Sequence, residues 1–278
     1  MTLHLYGSIP GHVVAVSDSR TTTTQDETRV IVDDDVRKAF PVTLSLRAEP
    51  PSKLVALVLV QGRATFAFEG ESVTAHDLLR GLRPAPDAGV TSVKGLGEYF
   101  WSVIHRYWWN CNDCRDAREE VNAEDLKLQA QFGERSPFIN PDGEYACCRH
   151  EFTLFVLGFD AESDGSPSIY RREWVSGDRV ISQSLPRNRF YSSVVVKKNG
   201  VSQIPEMVFP ASSLVSGQDP SLTSWLRERF TETVKIIEEF RPDEDLKQVR
   251  GIGGVATALV VSSDGQIQPV DSWPIPEG

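Results

Sequence analysis

Three side chains near the start of the chain, those of Thr2, Asp18 and Lys38, have the types that amide hydrolysis can use. A threonine at the N-terminus carries nucleophile and base in one residue, because its hydroxyl can attack a carbonyl while its own α-amine accepts the proton. Removal of Met1 would place Thr2 there, and methionine aminopeptidases generally cleave before a small second residue. We therefore expect Thr2 to begin the mature chain.

The other two residues would set the charge state of that amine. A free α-amine titrates near about 7.7–8, which is close to working pH. A nearby lysine ammonium lowers the amine pKa by like-charge repulsion, and an aspartate beside the lysine keeps the ammonium charged and in place. Taken singly, Asp18 is typical of a turn and Lys38 of a surface. Taken together, the three residues predict a site in which they converge, with Asp18 and Lys38 within salt-bridge distance.

The sequence around these residues resembles the opening of proteasome β subunits and of bacterial proteasome-like peptidases. The stretches are TLHL at residues 2–5 and GHVVAVSDSRT at residues 11–21, an apolar strand that ends in Asp-Ser-Arg. The family's aspartate follows its catalytic threonine by sixteen positions, as Asp18 follows Thr2 (18 − 2 = 16). RKAF at residues 37–40 is similar to the family's lysine strand. Residues 155–170 and 251–255 resemble its central hairpin and its closing segment.

This resemblance implies an α+β protein with the αββα four-layer sandwich of the Ntn hydrolases, in which antiparallel sheets are flanked by helices. It implies that Thr2 is the nucleophile, that Lys38 tunes its amine and that Asp18 holds Lys38. The backbone N–H of Gly62 is the candidate donor to a developing oxyanion. The resemblance further implies a peptide or protein substrate, a homo-oligomer in the form of a ring or stack, and no cofactor for the catalysis.

The closing segment departs from the family pattern. Active members usually carry an aspartate and a serine shortly before the closing Gly-Gly, whereas the corresponding residues here are Val249 and Ile252. An alternative function is therefore a proteasome-like binding or assembly subunit that has lost catalysis. The retained Thr2, Asp18 and Lys38 favour the hydrolase.

Hydrophobic periodicity indicates the elements that must position these residues. Strands are expected at residues 3–6, 12–17, 29–32, 36–42, 53–68, 151–159, 168–174 and 255–262, with a turn over residues 7–11. Helices are expected at residues 74–82, with Thr74 as the N-cap, and at 97–109 and 222–240. The order strands, helices, strands, helix, strands is typical of antiparallel sheets with helices packed outside them.

The segment at residues 83–150 is predicted to be an insertion, polar and irregular from residue 110 onward. It contains Cys111, Cys114, Cys147, Cys148 and His150, whose side chains are of zinc-binding types. Free cysteines in a loop are the alternative, and a redox Cys-x-x-Cys pair is disfavoured because no strand-to-helix context precedes it. If zinc binds, the segment could present a protein-recognition surface.

Composition limits the classes of function. The formal net charge of −10, without a cluster of Lys and Arg, argues against nucleic acid as a partner. The sequence contains no apolar run of about 20 residues, so we expect no membrane association. An apparent lack of a signal peptide and the small number of cysteines lead us to expect a cytoplasmic protein with reduced thiols. We expect residues 1–278 to form one domain that carries the insertion.

Overall fold

The computed structural model describes residues 2–25, 28–34, 36–46, 52–62, 65–68, 71–82, 84, 89–134, 152–161, 165–174, 179–198, 201–210, 219–239 and 252–276. The strands in the first part of this chain are β1 (His4–Ile9), β2 (His12–Ser17), β3 (Thr21–Gln25), β4 (Thr28–Asp33), β5 (Ala39–Leu46), β6 (Ser52–Gly62), β7 (Thr65–Phe68) and β8 (Glu71–Thr74). The later strands are β9 (Phe152–Phe159), β10 (Pro167–Trp174), β11 (Arg179–Ser184), β12 (Arg189–Ser192), β13 (Lys197–Lys198), β14 (Val201–Ser202), β15 (Met207–Val208), β16 (Val255–Ser262) and β17 (Ile267–Pro274). The helices are α1 (Ala75–Gly81), α2 (Val93–Asn110), α3 (Asn112–Phe132) and α4 (Pro220–Glu239).

Two antiparallel sheets and these helices give an α+β fold, as the sequence predicts. The first sheet has six strands in the order β15-β12-β1-β2-β16-β17. The second sheet has five strands in the order β11-β10-β9-β6-β5. The pairs β3-β4, β7-β8 and β13-β14 form separate two-stranded ribbons.

Side-chain alternation along the strands divides the buried apolar residues into three clusters. Successive residues of a strand point to opposite faces, so each sheet can contribute to two clusters. In β6, Val55, Leu57 and Leu59 pack with residues of the first sheet, including Val13 and Ala15. The alternate residues of β6 pack with α1 and α2 in a second cluster. The other face of the first sheet packs with α4 in a third cluster.

The predicted N-cap of α1 is confirmed. The side chain of Thr74 accepts a hydrogen bond from the backbone N–H of Asp77, at 3.1 Å between nitrogen and oxygen. This bond satisfies one of the N–H groups that the first turn of a helix leaves without an intrahelical partner.

The prediction of irregular structure after residue 110 is wrong for residues 112–132, which form α3. This stretch is polar, but it is rich in Ala, Glu, Gln, Leu and Arg, all of which have high helix propensity. The helix ends at Gly133, whose left-handed φ of 69° allows its N–H to bond to the carbonyl of Gln129. Polarity was therefore a poor guide to conformation here. Among the helices in the described residues, none combines the length and the apolar character of a segment that crosses a bilayer.

The turn expected over residues 7–11 is confined to Pro10 and Gly11, because β1 continues through Gly7 to Ile9. Gly7 is in the strand because β12 lies against it: a Cβ at this position would come within 2.2 Å of the carbonyl oxygen of Arg189. Glycine here permits close approach of two backbones rather than a turn.

Gly158 in β9 gives a test of how tightly the second sheet is packed. A Cβ at Gly158 would lie 2.1 Å from the carbonyl oxygen of Val55 and 2.8 Å from the Cα of Ala56, so β6 would have to move. We expect Gly158→Ala to reduce the free energy of unfolding by about 2 kcal/mol or more, measured by urea denaturation. Gly81→Ala is the matched control, because nothing lies within 4 Å of the added methyl group. Equal stability of the two variants would contradict this packing.

Candidate active site

The pairing of β1 with β2 brings the start of one strand next to the end of the other. His4 is opposite Ser17 in this antiparallel pair, so Thr2 and Leu3 lie beside Asp18. The backbone N–H of Asp18 bonds to the carbonyl of Leu3 at 3.3 Å, which extends the pairing by one residue. Asp18 is therefore placed beside the N-terminal segment by a regular feature of the first sheet.

Lys38 comes from the second sheet, immediately before β5. Its carbonyl accepts a hydrogen bond from the N–H of Val60 at 3.2 Å, which continues the ladder between β5 and β6. From this position its side chain reaches the first sheet, where Nζ lies 2.9 Å from Oδ2 of Asp18. The predicted ion pair is present, and it joins the two sheets.

The ion pair is buried and hydrogen bonded at both ends. The side chains of Asp18 and Lys38 are 0% and 2% exposed. The second carboxylate oxygen of Asp18, Oδ1, accepts the backbone N–H of Leu3 at 2.8 Å, while Nζ of Lys38 also donates to the carbonyl of Arg20. Additional bonds of this kind offset the desolvation of the two charges.

Burial shifts the pKa of each partner toward its neutral form, and the other partner opposes the shift. Burial raises the pKa of Asp18, against the charge and hydrogen bond of Lys38. Burial lowers the pKa of Lys38, against the carboxylate of Asp18. Each charge therefore depends on the other one being present.

Thr2 is buried, and a second side chain besides Asp18 holds the peptide group that follows it. Its carbonyl oxygen accepts a hydrogen bond from the side-chain amide of Gln61, with 3.0 Å between Nε2 and the oxygen. The sequence does not indicate this role of Gln61, because a single glutamine after an apolar strand gives no signal for a contact with a residue 59 positions away.

Gly62, the predicted oxyanion donor, is the last residue of β6 and directly follows Gln61. Its φ of 100° lies in a region that residues other than glycine rarely adopt. The glycine is therefore required by the backbone conformation at the point where β6 ends beside Thr2.

Two histidines, His4 and His76, converge on one carbonyl group near the ion pair. The Nε2 atoms of His4 and His76 lie 3.0 and 3.3 Å from the carbonyl oxygen of Val60. Because a carbonyl can only accept, each Nε2 carries the proton when the ring is neutral. The Nδ1 of His4 is then free to accept from the hydroxyl of Ser17, at 2.7 Å.

Both rings are neutral at ordinary pH. Burial lowers the pKa of His4 to about 3, and burial together with the charge of Lys38 lowers that of His76 to about 4. Neither ring is therefore a second cation beside Lys38. No motif in the sequence indicates the shared contact of these histidines with Val60.

A second ion pair, between the buried Arg20 and the exposed side chain of Asp34, lies just beyond the first one. Arg20 donates from Nε and Nη2 to the two carboxylate oxygens of Asp34, at 2.6 and 3.0 Å. The guanidinium lies against Gly253, where a Cβ would come within 2.4 Å of Cζ of Arg20. Glycine at position 253 is thus explained by the space that Arg20 occupies.

The two closing-segment positions that depart from the family pattern, Val249 and Ile252, and the predicted zinc ligands are described only in part. Ile252 is buried in the cluster beneath α4, and Val249 lies outside the described residues. Cys111 is a buried free thiol at the N-cap of α3, and the side chain of Cys114 is not described. Cys147, Cys148 and His150 lie outside the described residues, so the zinc site stays a prediction. Within the part of the chain that is described, no three His, Cys, Asp or Glu residues are grouped as a metal site.

Asp18→Asn tests the buried ion pair. The substitution leaves the Lys38 ammonium buried without its counter-ion, so we expect the free energy of unfolding to fall by about 3 kcal/mol near pH 7. The pKa of Lys38, already lowered by burial, should fall further without Asp18. The unfolded variant then binds more protons than the folded one, so the stability of the variant rises with pH. The deficit relative to wild type should shrink as the pH rises toward 10.5, the ordinary pKa of lysine, in denaturant titrations.

Glu206→Gln is the matched control for this prediction. It makes the same change of carboxylate to amide in an ion pair, because Glu206 lies 2.7 Å from Arg189, but both side chains of this pair are more than half exposed. Exposed ion pairs contribute little to stability. We expect an effect near zero that does not change with pH, and equal losses in the two variants would refute the role given to burial.

Comparison with known proteins finds only distant structural similarity. No protein-family model matches the chain, and none of the curated proteins compared with it matches. Among solved structures, the Anbu (Gly-1) mutant from Hyphomicrobium sp. strain MC1 is similar with a TM-score of 0.43 and 10% identity, over 99% of this chain and 87% of that chain. Anbu (ancestral beta-subunit) from Yersinia bercovieri has a TM-score of 0.46 and 10% identity over the same shares.

Proposed function

We propose that the protein is an N-terminal-threonine hydrolase that cleaves amide bonds of a peptide-like substrate after removal of Met1. The observation that carries this proposal is the buried pair of Asp18 and Lys38, which is hydrogen bonded directly to the N–H that follows Thr2. A buried charge pair is costly to maintain, and here it lies beside the one residue that could combine a nucleophile with a base.

In the proposed reaction, the hydroxyl oxygen of Thr2 attacks the substrate carbonyl and its proton passes to the Thr2 α-amine. The tetrahedral intermediate then expels the substrate amine, which takes that proton, and leaves an ester on Thr2. Water hydrolyses the ester in the second half of the reaction. The positive charge of Lys38 keeps the α-amine neutral and basic, and Asp18 keeps Lys38 charged.

The remaining parts of the proposal extend the same site. Gly62 would donate its N–H to the developing oxyanion, in keeping with its place next to the residue that binds Thr2. The chain would form one domain, with residues 83–150 as an insertion, and would adopt the four-layer arrangement of the Ntn hydrolases. One apolar cluster between the sheets and one beneath helices on each outer face support that arrangement. We propose a homo-oligomer with a peptide or protein substrate and no catalytic cofactor.

A proteasome-like binding or assembly subunit without catalysis is the second candidate. The observation that favours it is Ile252, which is an apolar core residue at a position where active relatives usually carry a polar group. In this case the Asp18–Lys38 pair would serve the fold alone.

Thr2→Ala separates these two functions. We expect purified wild type to lack Met1 by intact mass and to form a covalent adduct at Thr2 with a threonine-directed electrophile. Thr2→Ala should lose the adduct and all cleavage of fluorogenic peptides, because the nucleophile is gone, while its melting temperature stays that of wild type. Thr2→Ser keeps a hydroxyl and should still be labelled. Wild type that has a free Thr2 amine and is neither labelled nor active would favour the assembly subunit, and retained Met1 would rule out the threonine mechanism.

A further inference from the structure

The peptide group between Thr2 and Leu3 is hydrogen bonded by a side chain at each of its two polar atoms. Its carbonyl oxygen, from Thr2, accepts from Nε2 of Gln61 at 3.0 Å. Its N–H, from Leu3, donates to Oδ1 of Asp18 at 2.8 Å. Asp18 follows β2 of the first sheet and Gln61 belongs to β6 of the second sheet, so the peptide group is held between the two sheets.

We propose that Gln61 is a positioning residue for Thr2, which fixes the Thr2–Leu3 peptide group so that the hydroxyl and the amine of Thr2 keep a reactive geometry. This proposal rests on the hydrolase function proposed above and assigns to that site a residue that acts through Thr2. Gln61 acts on the backbone of Thr2 and not on the reacting atoms.

Planarity of the peptide bond explains why two contacts are sufficient. The carbonyl and the N–H of one peptide group lie in a plane that also contains the Cα atoms of Thr2 and Leu3. Holding both polar atoms therefore fixes the Cα of Thr2. Only the rotations about the Cα–C and Cα–Cβ bonds then remain to orient the amine and the hydroxyl, and a terminal residue would otherwise move as a whole.

Gln61 can position Thr2 because its own backbone is firmly held. The residues before it, from Leu54 to Val60, are 0% exposed. Val60 donates its N–H to the carbonyl of Lys38, and its carbonyl accepts from His4 and His76. The strand is fully buried and hydrogen bonded up to Val60 and does not shift easily there, so the amide of the adjacent Gln61 presents a fixed donor.

The same strand end carries the candidate oxyanion donor. Gly62 directly follows Gln61, so the residue that binds the Thr2 carbonyl and the residue proposed to bind the substrate oxygen are neighbours in β6. The distance between nucleophile and oxyanion donor is thereby set by one short covalent segment together with one hydrogen bond.

Gln61→Met tests the proposal, because methionine is close in length and shape to glutamine but has no N–H donor. We expect the maximal rate of Thr2 labelling by the electrophile to fall roughly three- to tenfold, as for the loss of one hydrogen bond. The electrophile concentration that gives half the maximal rate should not change, because Gln61 does not touch the ligand. Hydrogen–deuterium exchange of the Leu3 amide, read by NMR, should be faster than in wild type.

Gln61→Asn is the second variant, and Gln183→Met is the matched control. Asparagine keeps the amide but is one methylene too short to reach Thr2, so it should behave like Gln61→Met even if methionine perturbs the fold. Gln183 is exposed on the edge strand β11 and should be neutral in all three measurements. Unchanged labelling and exchange in both Gln61 variants would overturn the proposal.

The two readouts separate this proposal from the proposed function. Faster exchange with unchanged labelling would make the contact structural and refute positioning, and slower labelling with unchanged exchange would show that Gln61 acts on the ligand instead. If wild type with a free Thr2 amine is never labelled, the hydrolase function fails. The exchange measurement still decides in that case whether Gln61 holds the Thr2–Leu3 peptide group.

Discussion

The ion pair between Asp18 and Lys38 is the interaction on which the arrangement of the site depends. It is buried, and it connects a residue at the end of β2 to a residue at the start of β5. Two charges removed from water stabilise a fold only where their remaining hydrogen-bonding capacity is used. The N–H of Leu3 and the carbonyl of Arg20 meet that requirement, so the segments that carry them are fixed by the same interaction.

Ser17, the last residue of β2, and the three residues that follow it show how one short motif organises several elements. Ser17 contacts the ring of His4, and Asp18 binds Lys38. The hydroxyl of Ser19 donates to the carbonyl of Asp34 and accepts the N–H of Val255, and Arg20 binds the carboxylate of Asp34. Ser19 and Arg20 share Asp34, while Ser17 and Asp18 each have a partner of their own, so the spacing of the motif reflects the spacing of the elements around it.

Local patterns predicted the elements, and a joint pattern predicted the ion pair. The bounds of β2 and β16 follow from their apolar, β-branched runs, and the N-cap of α1 follows from Thr74 and Asp77. The polar pattern of residues 112–132 does not indicate α3, which forms because the same residues have high helix propensity. The contact of Gln61 with Thr2 could not be predicted, because it depends on how the two sheets are placed and not on any periodicity along the chain.

The two halves of the candidate site are positioned by different kinds of force. The end of β6 is fixed by burial, since a run of fully buried apolar residues leads up to Val60. Thr2 is buried but lies near the start of the described residues, where directional hydrogen bonds add precision to its packing. Apolar packing tolerates small shifts, but a hydrogen bond at 2.8–3.0 Å weakens steeply when its geometry changes. The polar contacts of Asp18 and Gln61 therefore transfer the rigidity of the core to the backbone of Thr2.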